Sequence, residues 1–89
     1  MSTVFIALQA NEETRPIIEA IQLDNPQAVV ERQPAMVKIN APGRLIVRKA
    51  TIEEQIGRAY DLQELQINLI TLSGNVDEDD EALTLHWNA

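Results

Sequence analysis

Cysteine is absent from these 89 residues, histidine occurs once, and Phe5, Tyr60 and Trp87 are the only aromatics. Without cysteine there is no disulfide and no thiolate metal site, and the chain suits a reducing compartment. His86, with no carboxylate at ligand spacing, makes neither a metal centre nor an acid–base pair. Aromatics so few and scattered cannot form a platform for nucleic-acid bases. No glycine-rich phosphate loop occurs, and no nucleophile stands beside a recognisable base. The apolar runs fall far short of the ~20 residues a membrane helix needs. Met1-Ser2-Thr3-Val4 has no basic segment and leads straight into a strand pattern, so no signal peptide is expected. A chain this poor in reactive groups points to binding, with no metal, flavin or haem of its own.

Basic charge is also scarce: 7 Lys and Arg stand against 14 Asp and Glu, a net charge of −7. Phosphate binding needs a net basic surface, so nucleic acid is not the expected partner. Every basic residue except Arg15 lies between Arg32 and Arg58, while acids crowd residues 12–24 and 61–81. The plain reading is a solvated surface. The sharper one is a dipolar surface that steers docking onto a protein.

What is present is apolar periodicity almost from end to end. The length suits one domain, 1–89, burying about 60–65% of the surface the unfolded chain exposes. Val4, Ile6 and Leu8 alternate as a first strand. Asn11-Glu12-Glu13-Thr14 then supplies cap formers and acids, and Pro16 fits only a first helical turn, which favours Thr14 as the cap. Ile17, Ala20 and Ile21 share one helical face, and Asp24-Asn25-Pro26 ends the helix. Residues 28–33 and 36–40 read as strands joined at Pro34-Ala35, and 44–49 as another after the Ala41-Pro42-Gly43 turn. Thr51-Ile52-Glu53-Glu54 has the form of a capping box opening a short helix that Gly57 ends. Leu65, Ile67 and Leu69 alternate in a long strand running to Leu72. Ser73-Gly74-Asn75 turns the chain, 77–81 is an acidic loop, and Leu83, Leu85 and Trp87 alternate inward in a last strand, with His86 facing away. The order is an α+β plan of two βαββ halves, roughly 1–41 and 42–89, with two helices on an antiparallel-rich sheet.

Each candidate site has a plainer alternative. Asp77-Glu78-Asp79-Asp80-Glu81 fails the calcium-loop pattern, with Ala82 at the sixth position and Asn88 at the twelfth. Glu53 and Glu54 are adjacent on a helix and do not converge. The least expected segment is Ile56-Gly57-Arg58-Ala59-Tyr60: either a glycine cap, an arginine on the helix end and a half-buried tyrosine, or a contact surface anchored by Arg58 and Tyr60.

Several stretches together resemble one family along nearly the whole chain: Asn11-Glu12-Glu13-Thr14-Arg15-Pro16-Ile17, Asp24-Asn25-Pro26, Pro34-Ala35-Met36-Val37-Lys38-Ile39, Gly43-Arg44-Leu45, Ile56-Gly57-Arg58, Leu69-Ile70, Gly74-Asn75-Val76-Asp77-Glu78-Asp79 and the late Trp87. The chain is similar to the effector (coupling, or regulatory) proteins of soluble bacterial di-iron monooxygenases, most of all their phenol hydroxylase branch. The resemblance implies a cofactor-free, cytoplasmic protein that is not catalytic alone. Such a protein binds the hydroxylase component over its di-iron centre and couples electron input to phenol hydroxylation in aromatic degradation. A separate flavin and iron–sulfur reductase delivers the electrons. By position, Thr51, Glu53, Glu54 and Gln55 become hydroxylase-binding candidates, larger and more charged than the small polar residues of the methane monooxygenase effector. Arg58 and Tyr60 join them from the contact-surface reading of their segment. The long N-terminal tail of that relative has no counterpart here, so tail-based regulation is not expected. The alternative is a small ferredoxin-like ligand-binding regulatory domain, which a small amino acid or nucleotide would stabilise.

Overall fold

The computed structural model describes residues 3–87. β1 (Thr3–Gln9) buries Val4, Ile6 and Leu8 completely, as its alternation requires. It forms the middle of an antiparallel sheet ordered β2-β3-β1-β5, with β2 at Val29–Gln33, β3 at Met36–Pro42 and β5 at Leu69–Ser73. A second antiparallel sheet is ordered β4-β7-β6, from Arg44–Arg48, Ala82–His86 and Asn75–Glu78. Its register sets Leu45 opposite Leu85 and Val47 opposite Leu83, all turned inward. Helix α1 (Thr14–Asp24) packs on β4 and on α2 (Lys49–Ile56), and one cluster of buried side chains links both sheets and both helices. The expected α+β class forms, as two sheets rather than one, with a third, short helix, α3 (Leu65–Asn68). β5 crosses from the later part of the chain to pair with β1.

The entrance to α1 differs from expectation in one respect. Thr14 is the first helical residue, and Asn11 does the capping: Asn11 Oδ1 accepts from the Thr14 amide at 3.0 Å. Thr14 Oγ1 returns the bond from Asn11 N at 3.2 Å and donates to Gln9 O at 2.7 Å. The reciprocal pair works as a capping box one turn earlier than the Pro16 argument placed it. At the other end Asn25 leaves helical geometry, and its carboxamide imitates a peptide group. Its Nδ2 donates to Ile21 O at 2.7 Å and Ile46 O at 2.6 Å, and its Oδ1 accepts from Ile46 N at 2.9 Å. The helix end is thereby tied to β4.

Four further expectations need correction. The Thr51–Glu54 capping box does not form: α2 starts at Lys49, three residues before the start that a Thr51 cap implies, with no side-chain cap. Tertiary contact sets that start, since Lys49 N donates to Glu81 O at 2.9 Å. The long strand expected from Leu65 is helical up to Asn68. A capping box sits instead at Asp61, whose carboxylate accepts from Gln63 N while Glu64 accepts from Asp61 N. It opens a 3₁₀ turn (Leu62–Glu64), after which Leu62 and Leu65, three apart, turn inward and Ile67 is left 70% exposed. Asp77 and Glu78 belong to β6, not a loop; the turn that follows is made by Asp79, whose carboxylate accepts from Glu81 N and Ala82 N. Trp87 lies past the end of β7 and is exposed; its Nε1 donates to Thr3 O at 3.1 Å. Asn88, the twelfth position of the calcium pattern, lies outside the described residues.

Gly74 shows why the β5–β6 turn needs glycine. Its φ is +112°, and a Cβ there would meet Val4 Cγ1 at 2.9 Å.

Candidate functional site

α2 buries Ile52 and half-buries Ile56, which leaves Thr51, Glu54 and Gln55 on its open side. Gly57 ends the helix at φ +75°, a left-handed conformation that costs a glycine little, and donates its amide to Glu53 O at 2.9 Å. This turn reverses the chain and sets Arg58 and Tyr60 beside the helix end. The six candidate residues therefore share one region, but they do not play one part. Glu53 is engaged internally: its Oε2 accepts from the Tyr60 amide at 2.8 Å. Arg58 is exposed, donates to Ala59 O at 2.8 Å and lies 3.6 Å from Glu64. Tyr60 is only 5% exposed, so the half-buried ring expected from sequence lies deeper.

The surroundings are acidic. An open groove of about 800 Å3 runs between Glu53, Tyr60, Asp61 and Glu64 on one side and residues 78–81 on the other, with Lys49 as its cation. Asp79 in that groove is held below the usual carboxylate range by the amides of Glu81 and Ala82. Nothing here is arranged for proton transfer. Tyr60 is pushed up to about 12, chiefly by burial and then by the Glu64 carboxylate, with Glu13 and Asp61 adding and Arg58 opposing. It keeps its proton at neutral pH and can only donate or accept hydrogen bonds. His86, which sequence spacing left unpaired, meets Asp77 at 2.6 Å because β6 and β7 set them diagonally across the ladder. Among the described residues no three His, Asp or Glu side chains converge as metal ligands. The arrangement serves binding.

Sequence reasoning missed the box at Asp61 and Glu64, although the Asp-x-x-Glu spacing was there to be read.

The tyrosine shift has a measurable consequence. The folded value lies above the unfolded one, so this group's contribution to stability is complete below pH 10 and declines as pH climbs from about 10 towards about 12. The decline has a ceiling of ~2–3 kcal/mol, which solvent screening lowers. Tyr60 is the only tyrosine, so tyrosinate absorbance during alkaline titration reports it alone. A folded-state midpoint near the ordinary value of 10 would place the hydroxyl in water instead.

Comparison with known proteins agrees with a binding role. The MmoB/DmpM family profile matches residues 2–86. The stimulatory component DmpM of phenol 2-monooxygenase, from Pseudomonas sp. (strain CF600), is 51% identical over 86 residues, spanning 97% of this chain and 96% of that protein. A chain in a solved phenol hydroxylase–regulatory protein complex has a TM-score of 0.94 at 47% identity, covering 98% of this chain and 100% of that one. A second structure of such a complex gives 0.89 at 44%, covering 97% and 100%. The soluble methane monooxygenase regulatory protein B shares the fold, with a TM-score of 0.76 at 24% identity over 97% of this chain and 65% of that one.

Proposed function

We infer a stimulatory role for this chain from the fact that it belongs to the MmoB/DmpM family. It is the regulatory component of a multicomponent phenol hydroxylase and is not a catalyst by itself. The observation that carries this is the end-to-end match to the phenol 2-monooxygenase stimulatory component. Its partner is the hydroxylase, as for the related chains in the solved complexes. The physical role is differential binding: an effector that prefers one hydroxylase conformation raises the population of that conformation. Coupling to electrons from a reductase follows from this role, because a population shift towards the productive state lets reduction end in hydroxylation. The cysteine-free sequence supports a cytoplasmic setting, and no helix among the described residues is long and apolar enough to cross a membrane.

The docking surface in this reading comprises Thr51, Glu54, Gln55 and Arg58, with Glu53 holding the segment in shape through the Tyr60 amide. Exposure of Glu54, Gln55 and Arg58, partial exposure of Thr51 and the Gly57 turn support it. Added to hydroxylase and reductase, the chain should raise hydroxylated product per electron, with an optimum near one effector per active site. Alone with phenol and a reduced nicotinamide it should do nothing. Arg58→Ala should melt within a few degrees of the wild type, since an exposed pair contributes at most ~1 kcal/mol, yet bind the hydroxylase more weakly. Unchanged product yield with and without the chain would end the functional reading. Normal binding by a much less stable Arg58 variant would make the segment purely structural.

A further inference from the structure

A small cavity of about 30 Å3 opens where the start of α1, the end of α2 and α3 meet. Its walls include Ile17 and Ile56, and Ile67 stands at it as the most exposed large hydrophobic side chain among the described residues, at 70%. Tyr60 also lines it, and the Tyr60 hydroxyl is buried with no hydrogen-bond partner among the described residues. The charged groups around that hydroxyl, Glu13, Arg58 and Glu64, line the same cavity.

A buried hydroxyl without a partner is costly, and an exposed isoleucine beside it gains nothing for the isolated fold. Both features make sense if something completes them. The hydroxyl proton calls for an acceptor, whereas Glu13 and Glu64 can only accept, so an incoming group must also donate. A charged group would give up hydration against Ile17, Ile56 and Ile67, and either sign would meet a like charge, Arg58 for a cation and Glu13 and Glu64 for an anion. The cavity is far below the ~300 Å3 at which metabolite pockets begin, so it takes the tip of a side chain and not a free small molecule.

We propose that this cavity is a socket for one neutral side chain of the hydroxylase that both donates and accepts hydrogen bonds, a carboxamide or a hydroxyl, with Tyr60 as its partner and Ile67 as the apolar rim. The proposal rests on the effector reading above and extends the docking surface from α2 to α3, a segment whose alternation reads as part of a strand.

Two variants test it in titrations of the whole effector into the hydroxylase. Tyr60→Phe removes only the unpartnered oxygen, so it should keep or raise the melting temperature. Ile67→Ser changes an exposed side chain, so it should fold even if the first variant does not. Each should weaken binding about fivefold or more, the loss that marks a contributing interface residue. Val29→Ser, an equally exposed site on β2 at 62%, should bind as the wild type does. Binding by both Tyr60→Phe and Ile67→Ser within about twofold of the wild type would overturn the socket and leave the cavity to solvent, with the effector role intact. A wild-type chain that does not bind the hydroxylase would overturn both.

Discussion

Leu85→Ala is expected to destabilise the fold by about 2–5 kcal/mol, the range for emptying a buried leucine site. Leu85 is fully buried and faces Leu45 across the β4–β7 ladder, so the surrounding side chains belong to both a sheet and the helices above it and cannot all relax inward. In a domain of this size that is a large share of total stability. His86→Ala, one residue on, removes a pairing with an Asp77 side chain that is 77% exposed and should cost within about 0.5–1 kcal/mol. Trp87→Ala should fall below Leu85→Ala as well, because the indole is 43% exposed and held through one bond to Thr3 O. Urea melts of the three variants decide the order. Equal losses at Leu85 and His86 would mean that β7 presents its other face to the core.

Asn25→Ala should rank next, at about 2–4 kcal/mol, because truncation leaves the Ile46 amide and carbonyl and the Ile21 carbonyl short of partners at once. These groups lie in a part-buried seam between α1 and β4, where water replaces the lost bonds poorly. Asn25→Asp should be no milder. It keeps an acceptor for Ile46 N but sets a carboxylate against two carbonyl oxygens that the amide had been donating to. Asn40→Ala is the fitting control: its bonds to Glu31 Oε2 and Val29 O are exposed, so its loss should stay near ~0.5 kcal/mol. Chemical denaturation gives the size, and hydrogen exchange at the Ile46 amide gives the place. An Asn25→Ala protein with unaltered protection at Ile46 would refute the bridge.

The two predictions mark different degrees of legibility. Leu85 was readable because β7 alternates over five residues and one face must be buried. The role of Asn25 was readable only in part. Its position before Pro26 announces a helix end, but the partner, Ile46, lies 21 residues away and no local pattern names it. The docking segment divides the same way. Gly57 and the short helix before it follow from local chemistry. That Glu53 is drawn inward to the Tyr60 amide, and that the tyrosine ring goes under α1 and α3, depends on how the helices stack.

By itself the sequence determined what local periodicity and backbone chemistry can decide. It set the α+β class, the strands of the two sheets apart from residues 65–68 and β6, the Pro16 turn, the Gly57 stop and the lack of reactive groups. The effector family was also legible, from stretches spread along the whole chain. Tertiary structure decided the rest. Between Asp61 and Leu69 two local signals compete: Leu65, Ile67 and Leu69 alternate as in a strand, while Asp61 and Glu64 cap a turn that brings Leu62 and Leu65 together. The turn prevails because both of those leucines reach the common core in that geometry, and only Ile67 is left outside. The division of seven strands into two sheets, with β5 beside β1, is likewise set by pairing between distant segments. So are the meeting of His86 with Asp77 and the isolation of the Tyr60 hydroxyl. Each depends on residues far apart in the chain or on different elements, and its free energy exists only once the elements have packed.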